Sequence, residues 1–139
     1  MRGVLNGLVA ETSRIAIVDL EAGLEHLSRG TARHVDTLLV VGEPYFKSLE
    51  TAHRSFTLAR ELGIKRTRMV ANKVRSPRDE ETVREFAGRH RLDLAAVVPF
   101  DTAVTEADEC GAALFEHRPD APSVAAIRSL ANQLLETAH

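Results

Sequence analysis

The stretch TLLVVGEPYFKSLETA, residues 37–52, joins a short apolar run to a segment with helical spacing. Residues 37–43 are rich in Leu and Val and do not alternate between polar and apolar positions, which is typical of a strand buried on both faces of a parallel sheet. From residue 46 onward, apolar residues recur every three or four positions, which predicts a helix over 46–62. A strand that leads directly into a helix is the repeating unit of α/β folds.

Three more apolar runs of the same kind occur along the chain, at 15–20 (IAIVDL), 68–74 (RMVANKV) and 95–100 (AAVVPF). Helical spacing or capping residues predict helices at 24–34, 77–90, 102–110 and 123–137. The alternation predicts an α/β fold with a parallel sheet of about four strands and helices on both faces. A length of 139 residues suits a single domain spanning 1–139.

Composition excludes several classes of function. Lys and Arg number 18 against 20 Asp and Glu, so with a net charge of -2 neither nucleic acid nor an anionic membrane is expected as a partner. The N-terminal residues lack the apolar core of a secretion signal, and we expect a cytoplasmic protein. The single cysteine, Cys110, excludes a paired-cysteine metal site within one chain and is expected to be an inert packing residue, so no metal site is predicted.

Residues able to bind a ligand follow each predicted strand. In parallel sheets, ligands bind beyond the carboxyl ends of the strands, where the following turns meet. We therefore expect four clusters to lie at one edge of the sheet: Asp19, Glu21 and Gly23; Glu43 and Pro44; Asn72 and Lys73; Pro99, Phe100 and Asp101.

Each cluster has a functional and a structural interpretation. Asp19 can hold a water on Mg²⁺, or it can cap the next helix. The amide of Asn72 can pair with an adenine edge while the stem of Lys73 lies along the ring, or the two are a turn residue and a surface lysine. Residues 99–101 can wall a base, or Asp101 simply caps the helix at 102. The residues alone leave these alternatives open.

Taken together, the clusters resemble the MinD/ParA-like P-loop ATPases, known as the SIMIBI class. The nearest branch is the nickel-insertion accessory ATPases of carbon monoxide dehydrogenase. Its switch segment D-x-E-A-G-x-E-H is matched by residues 19–26, and its strand ending in V-E-P is similar to VVGEP at 40–44. Its N-K and P-[YF]-D segments are matched by VANKV at 70–74 and VVPFD at 97–101. The resemblance runs from about residue 5 to the C-terminus.

The resemblance implies a truncated, Rossmann-like P-loop NTPase fold, of which this is the C-terminal part. It implies a role in metallocentre assembly, with a metalloenzyme as client. It places Asp19 near Mg²⁺, Gly23 near the γ-phosphate of ATP, and residues of the later clusters around adenine. The full set of nucleotide and Mg²⁺ residues that it implies is Asp19, Glu21, Gly23, Glu43, Asn72, Lys73, Pro99, Phe100 and Asp101.

The phosphate loop of such ATPases, G-x-x-x-x-G-K-[ST], does not occur in these residues, and none of Lys47, Lys65 and Lys73 follows a glycine. We therefore expect no catalytic residue in this chain alone, at most weak binding of ATP or ADP with Mg²⁺, and no autonomous hydrolysis. The chain would then be a remnant or a partner half of a maturation ATPase. The alternative is a pseudo-ATPase that acts as a dimeric protein-interaction module without nucleotide.

The missing loop also has a structural consequence. In the family, the phosphate-loop strand lies between the strands that correspond to 15–20 and 37–43. We expect these two either to pair directly or to leave a space that a second copy or a P-loop-bearing partner chain fills, because an open edge exposes unpaired backbone. An unrelated receiver-like module is disfavoured. Such a module needs a phosphorylatable aspartate after its third strand, and this chain has Asn72 and Lys73 there.

Overall fold

The sheet of this protein has three parallel strands. The computed structural model describes residues 15–20 and 24–137. Within them, β1 is Leu38–Gly42, β2 is Thr67–Val74 and β3 is Leu94–Pro99, in the order β1-β2-β3. Both pairings are parallel, which confirms the predicted α/β fold.

In the described part of the chain, two short helices precede β1, and at least one helix follows every strand. They are a 3-10 helix at Leu24–His26, α1 at Arg29–Ala32, α2 at Phe46–Glu61, α3 at Pro77–His90, α4 at Thr102–Glu109, α5 at Leu114–His117 and α6 at Pro122–Glu136. The predicted helices at 46–62, 77–90, 102–110 and 123–137 are confirmed to within a residue at each end. Periodicity does not predict α5, which is too short to show a repeat. Among the described residues, no helix has the length and apolar character needed to cross a membrane.

Local signals explain where α2 and α3 begin and end. The hydroxyl of Ser76 accepts a hydrogen bond from the Asp79 amide at 3.1 Å, and Pro77 occupies the first turn of α3. Gly63 follows α2 with a φ of +80°, a left-handed conformation that glycine adopts without steric cost. These two signals set the helix lengths that cover one face of the sheet.

The core lies on both faces of β2. Met69 is fully buried and packs among residues of α2 and α3, whereas its neighbour Val70 packs with Leu130 of α6. Successive side chains of a strand point to opposite faces, so β2 must be apolar on both. The predicted placement of helices on both faces is confirmed.

The predicted strand at 15–20 is wrong. These residues have no regular structure, and the side chains of Ile15 and Ile17 are 73% and 93% exposed. Of the two expected alternatives, direct pairing of this segment with 37–43 is wrong as well, because β1 pairs only with β2 among the described residues, and the association of β1 with a second chain stays a prediction. A strand needs a neighbour to exchange hydrogen bonds with, and the strand that the resemblance places between these two is not among the described residues.

The predicted helix over 24–34 is interrupted. The 3-10 helix ends at His26, and Ser28 starts α1 afresh, its hydroxyl accepting from the Thr31 amide at 3.2 Å. A serine at this position competes with helix continuation by capping a new one. The expected packing role of Cys110 is also wrong, since its side chain is exposed at the end of α4.

The outer edge of β1 is free within the described part of the chain. On the face of β1 opposite to α2, Leu39 and Val41 are 36% and 62% exposed. Their register partners on β2 are Arg68 and Val70, and only Val70 is buried. β1 therefore presents both unpaired backbone and apolar side chains.

Replacing Leu49 by alanine is expected to lower the free energy of unfolding by about 3 kcal/mol, because the side chain is 2% exposed and its loss leaves a cavity between α2 and the sheet. The matched control is Leu135→Ala on α6, where a side chain that is 46% exposed should cost less than about 1 kcal/mol. Urea unfolding followed by circular dichroism measures both. Equal losses in the two variants would contradict the assigned core.

Candidate functional site

Three of the predicted clusters lie at one edge of the sheet. Gly42 at the end of β1 is in register with Ala71, and Val74 at the end of β2 is in register with Pro99 of β3. Glu43, the Asn72–Lys73 pair and the residues after Pro99 are therefore neighbours at the carboxyl ends of adjacent strands. This common edge is confirmed for three clusters, and nucleotide binding there stays a prediction.

The end of β2 is distorted by a bulge that contains Asn72 and Lys73. Between Ala71 and Val74 the strand has one residue more than β3 has between the partners of these two residues, Val97 and Pro99. Lys73 has a φ of 55°, and its amide donates to the side-chain Oδ1 of the preceding Asn72 at 2.9 Å. Bulges with a left-handed residue re-aim side chains and are common beside ligand sites.

The bulge directs Lys73 towards β1. Its ammonium group lies 2.9 Å from Oε1 of Glu43, with side-chain exposures of 53% and 35%. A pair this exposed contributes about 1 kcal/mol or less to stability. The Glu43 amide in turn donates to the hydroxyl of Ser48 at 2.8 Å, which holds the turn between β1 and α2. Two predicted site residues are thus joined, with the ammonium group of Lys73 engaged by the Glu43 carboxylate.

A flat cationic surface forms next to the bulge. The guanidinium carbon of Arg75 lies 3.6 Å from the centroid of the Phe100 ring, a cation–π geometry. The Phe100 amide donates to the Val74 carbonyl at 2.8 Å, so the ring is held at the end of β2. Sequence reasoning missed Arg75, although its position two residues after Lys73 was a usable signal.

Asp101 joins the starts of two helices. Its Oδ1 accepts from the Ala103 amide at 3.0 Å and caps α4, while its Oδ2 accepts from the Ser123 hydroxyl at 2.7 Å and the Ser123 amide at 3.2 Å in the first turn of α6. The hydrogen bond from the Ser123 hydroxyl, followed by the two amide bonds, lowers the pKa of the Asp101 carboxyl. The capping interpretation of Asp101 is confirmed. Ser123 was missed because the contact spans 22 residues.

The switch segment is described only in part. Asp19 lies in the irregular segment 15–20 and is exposed, and Glu25 is exposed on the 3-10 helix. Glu21 and Gly23 lie outside the described residues. Their assignment to Mg²⁺ and phosphate stays a prediction.

Two protein sequences are similar to this chain over most of its length. The carbon monoxide dehydrogenase accessory protein CooC of Rhodospirillum rubrum is 38% identical over 119 residues, which are 86% of this chain and 44% of that protein. An uncharacterized ATP-binding protein of Methanocaldococcus jannaschii is 38% identical over 112 residues, which are 80% of this chain and 43% of that protein. The chain thus spans less than half the length of each relative.

Solved structures agree on the fold. The MinD cell division protein of Aquifex aeolicus superposes with a TM-score of 0.68 at 15% identity, covering 82% of this chain and 50% of that one. No family model matches the sequence. The chain is related in sequence to the carbon monoxide dehydrogenase accessory protein and shares its fold with the MinD and ParA ATPases, and its partial coverage of its relatives fits a C-terminal part of the family domain.

Replacing Asp101 by alanine is expected to lower the free energy of unfolding by about 2 kcal/mol at pH 7, because α4 loses its cap and the buried Ser123 hydroxyl loses its acceptor. The pKa of this carboxyl is lower in the folded chain than in the unfolded one, so its ionised form stabilises the fold above the ordinary pKa of about 4. This stabilisation by the ionised carboxylate is lost as the pH falls through the lowered pKa of Asp101 in the folded chain.

The difference between the wild-type chain and the variant should therefore shrink on acidification. Urea unfolding at neutral pH and at about pH 3 measures it, with the exposed Asp108→Ala in the same helix as control. A difference that is the same at both pH values would argue against an ionised, hydrogen-bonded Asp101.

Proposed function

We propose that these residues form the base-binding side of the nucleotide site of a MinD/ParA-like metallocentre-maturation ATPase. In this proposal the chain binds adenine nucleotide weakly at most and does not hydrolyse ATP by itself. The observation that carries the proposal is the bulged end of β2, which holds Asn72 three residues before Arg75, whose guanidinium covers the ring of Phe100. The phosphate loop has to come from residues outside these 139.

The chemistry at the bulge suits a purine. The ring of Phe100 is 39% exposed and lies against a planar guanidinium, and both surfaces stack well on a flat aromatic base. Oδ1 of Asn72 already accepts from the Lys73 amide, which leaves the amide nitrogen of the side chain to donate to a ring nitrogen of the base. Asn72 is half-buried, so this donor is partly shielded from competing water.

The phosphate side lacks what catalysis requires. Phosphoryl transfer depends on a cradle of backbone N–H groups and on positive charge at the transferred group. The lysine at this edge, Lys73, is paired with Glu43 at 2.9 Å, and no glycine-rich loop with a lysine occurs in the sequence. Asp19 is a metal-binding candidate, but a carboxylate cannot replace that cradle.

The free edge of β1 is the place where the missing part would join. A strand added there would satisfy the open backbone of β1, and a helix following it would cover Leu39 and Val41. The role named for the Rhodospirillum rubrum relative, an accessory protein of carbon monoxide dehydrogenase, supports a metalloenzyme as the client in this proposal.

Titration calorimetry of the purified chain with Mg-ADP, Mg-ATP and Mg-GTP tests the base site. We expect weak, saturable binding that favours adenine, and we expect Asn72→Ala to weaken it by about tenfold, since one hydrogen bond to the base is lost. The matched control is Asn132→Ala, an exposed asparagine on α6. ATP turnover should stay at background.

Two results would contradict the proposed base site. In the first, the Asn72→Ala variant, like the control Asn132→Ala, binds adenine nucleotide as tightly as the wild-type chain does. The other is ATP turnover that survives purification and disappears in Asp19→Ala, because it would show that the chain has a complete catalytic site.

A second candidate is a pseudo-ATPase that acts as a dimeric interaction module without nucleotide. The exposed pair Leu39 and Val41 favours it, together with a strand edge that no other described segment pairs with, since monomers normally protect such an edge. In this candidate a second copy of the chain occupies the edge of β1.

The dimeric candidate predicts a stable dimer without nucleotide that Val41→Lys converts to a monomer, because a charge on the exposed side chain opposes burial in the interface. Size-exclusion chromatography with light scattering measures the mass. The control is Val104→Lys on α4, also about half-exposed at 48%. A monomeric wild-type chain at all concentrations, or a dimer insensitive to Val41→Lys, would exclude this interface.

A further inference from the structure

Three metal-ligating side chains converge between α2 and α3, apart from the residues of the nucleotide edge. Glu50 and His53 lie on α2, and His90 is the last residue of α3. One potential ligand atom from each lies within 4.8 Å of the other two, and all three residues are half-buried. The imidazole centroids of His53 and His90 are 4.2 Å apart.

We propose that Glu50, His53 and His90 bind a divalent transition-metal ion of the zinc type. Two imidazoles and one carboxylate are a ligand set that suits Zn²⁺ and similar borderline ions, and three protein ligands leave a position for water. This site is independent of the proposed nucleotide binding. The sequence pattern did not predict it, because His90 is distant from the other two along the chain.

The helical spacing orients two of the ligands. Glu50 and His53 are separated by three positions, so they project from the same face of α2, the arrangement that carboxylate–histidine pairs use in helical metal sites. Metal–ligand bonds of about 2.1 Å in a tetrahedral site place ligand atoms about 3.4 Å apart. Side-chain rotation therefore has to shorten the distances between the three ligand atoms by little more than an ångström.

The surroundings favour a bound cation. Phe86, itself 7% exposed, lies with its ring centroid 4.3 Å from that of His90 and 6.4 Å from that of His53. This apolar wall limits the orientations of both imidazoles and lowers the cost of ordering them on a metal. The carbonyl groups at the end of α3 add a partial negative charge at His90.

Calorimetric titration with Zn²⁺ tests the site. The untagged chain should carry Cys110→Ser throughout, because that exposed thiol can bind zinc by itself. We expect one equivalent of Zn²⁺ per chain, and we expect His53→Gln and His90→Gln each to weaken binding at least about tenfold. The matched control is His34→Gln, an exposed histidine outside the cluster.

A second measurement needs no variant of the ligands. Adding Zn²⁺ should shift the imidazole nuclear magnetic resonance signals of His53 and His90 together, and should raise the melting temperature because the ion binds the folded chain. Histidine packing without a metal role predicts no such shifts. The proposal is overturned if these signals stay unchanged, or if His34→Gln lowers zinc affinity as much as the cluster variants do.

Discussion

The structure depends on β2, the strand that is hydrogen-bonded on both sides and buried on both faces. Met69 and Val70 are anchored in opposite cores, so sliding β2 by one residue would exchange them and expose both sets of helices. Because β1 and β3 are each paired in register with β2, this constraint also fixes their positions along the strand direction. The turns that follow the three strands are brought together as a consequence, and the candidate site exists because β2 cannot slip.

The end of the same strand departs from regular geometry. The left-handed backbone of Lys73 costs on the order of 1 kcal/mol in a residue other than glycine, and it persists because the Asn72 side chain and the pairing of Val74 hold the chain on either side of it. The bulge turns Lys73 to Glu43 and leaves Arg75 free to cover Phe100. In a regular strand Lys73 and Arg75, two positions apart, would point to the same face of the sheet.

What could be predicted from the sequence was local. The limits of α3 follow from Ser76, Pro77 and helical spacing, and the β2 run is apolar on both faces whatever surrounds it. The segment 15–20 has an equally good strand composition, yet strand formation requires hydrogen bonds from a neighbour that composition does not reveal. The pairs Arg75–Phe100 and Asp101–Ser123 and the cluster with His90 are contacts through space, which only the assembled fold brings together.

The two halves of a nucleotide site need different physics, and in the proposed function this fold would separate them. Stacking and amide hydrogen bonds to a base need only a few side chains at strand ends, and β2 and β3 supply these from within the described sheet. A phosphate cradle needs consecutive backbone N–H groups in a loop that follows a further strand, and the free edge of β1 is where such a strand would pair. Leu39 and Val41 on the exposed face of β1 would become core residues once a helix following that strand covered them. Under the proposed function, completing the site and burying the exposed apolar surface of β1 would thus be one event, which would couple nucleotide affinity to the arrival of such a strand.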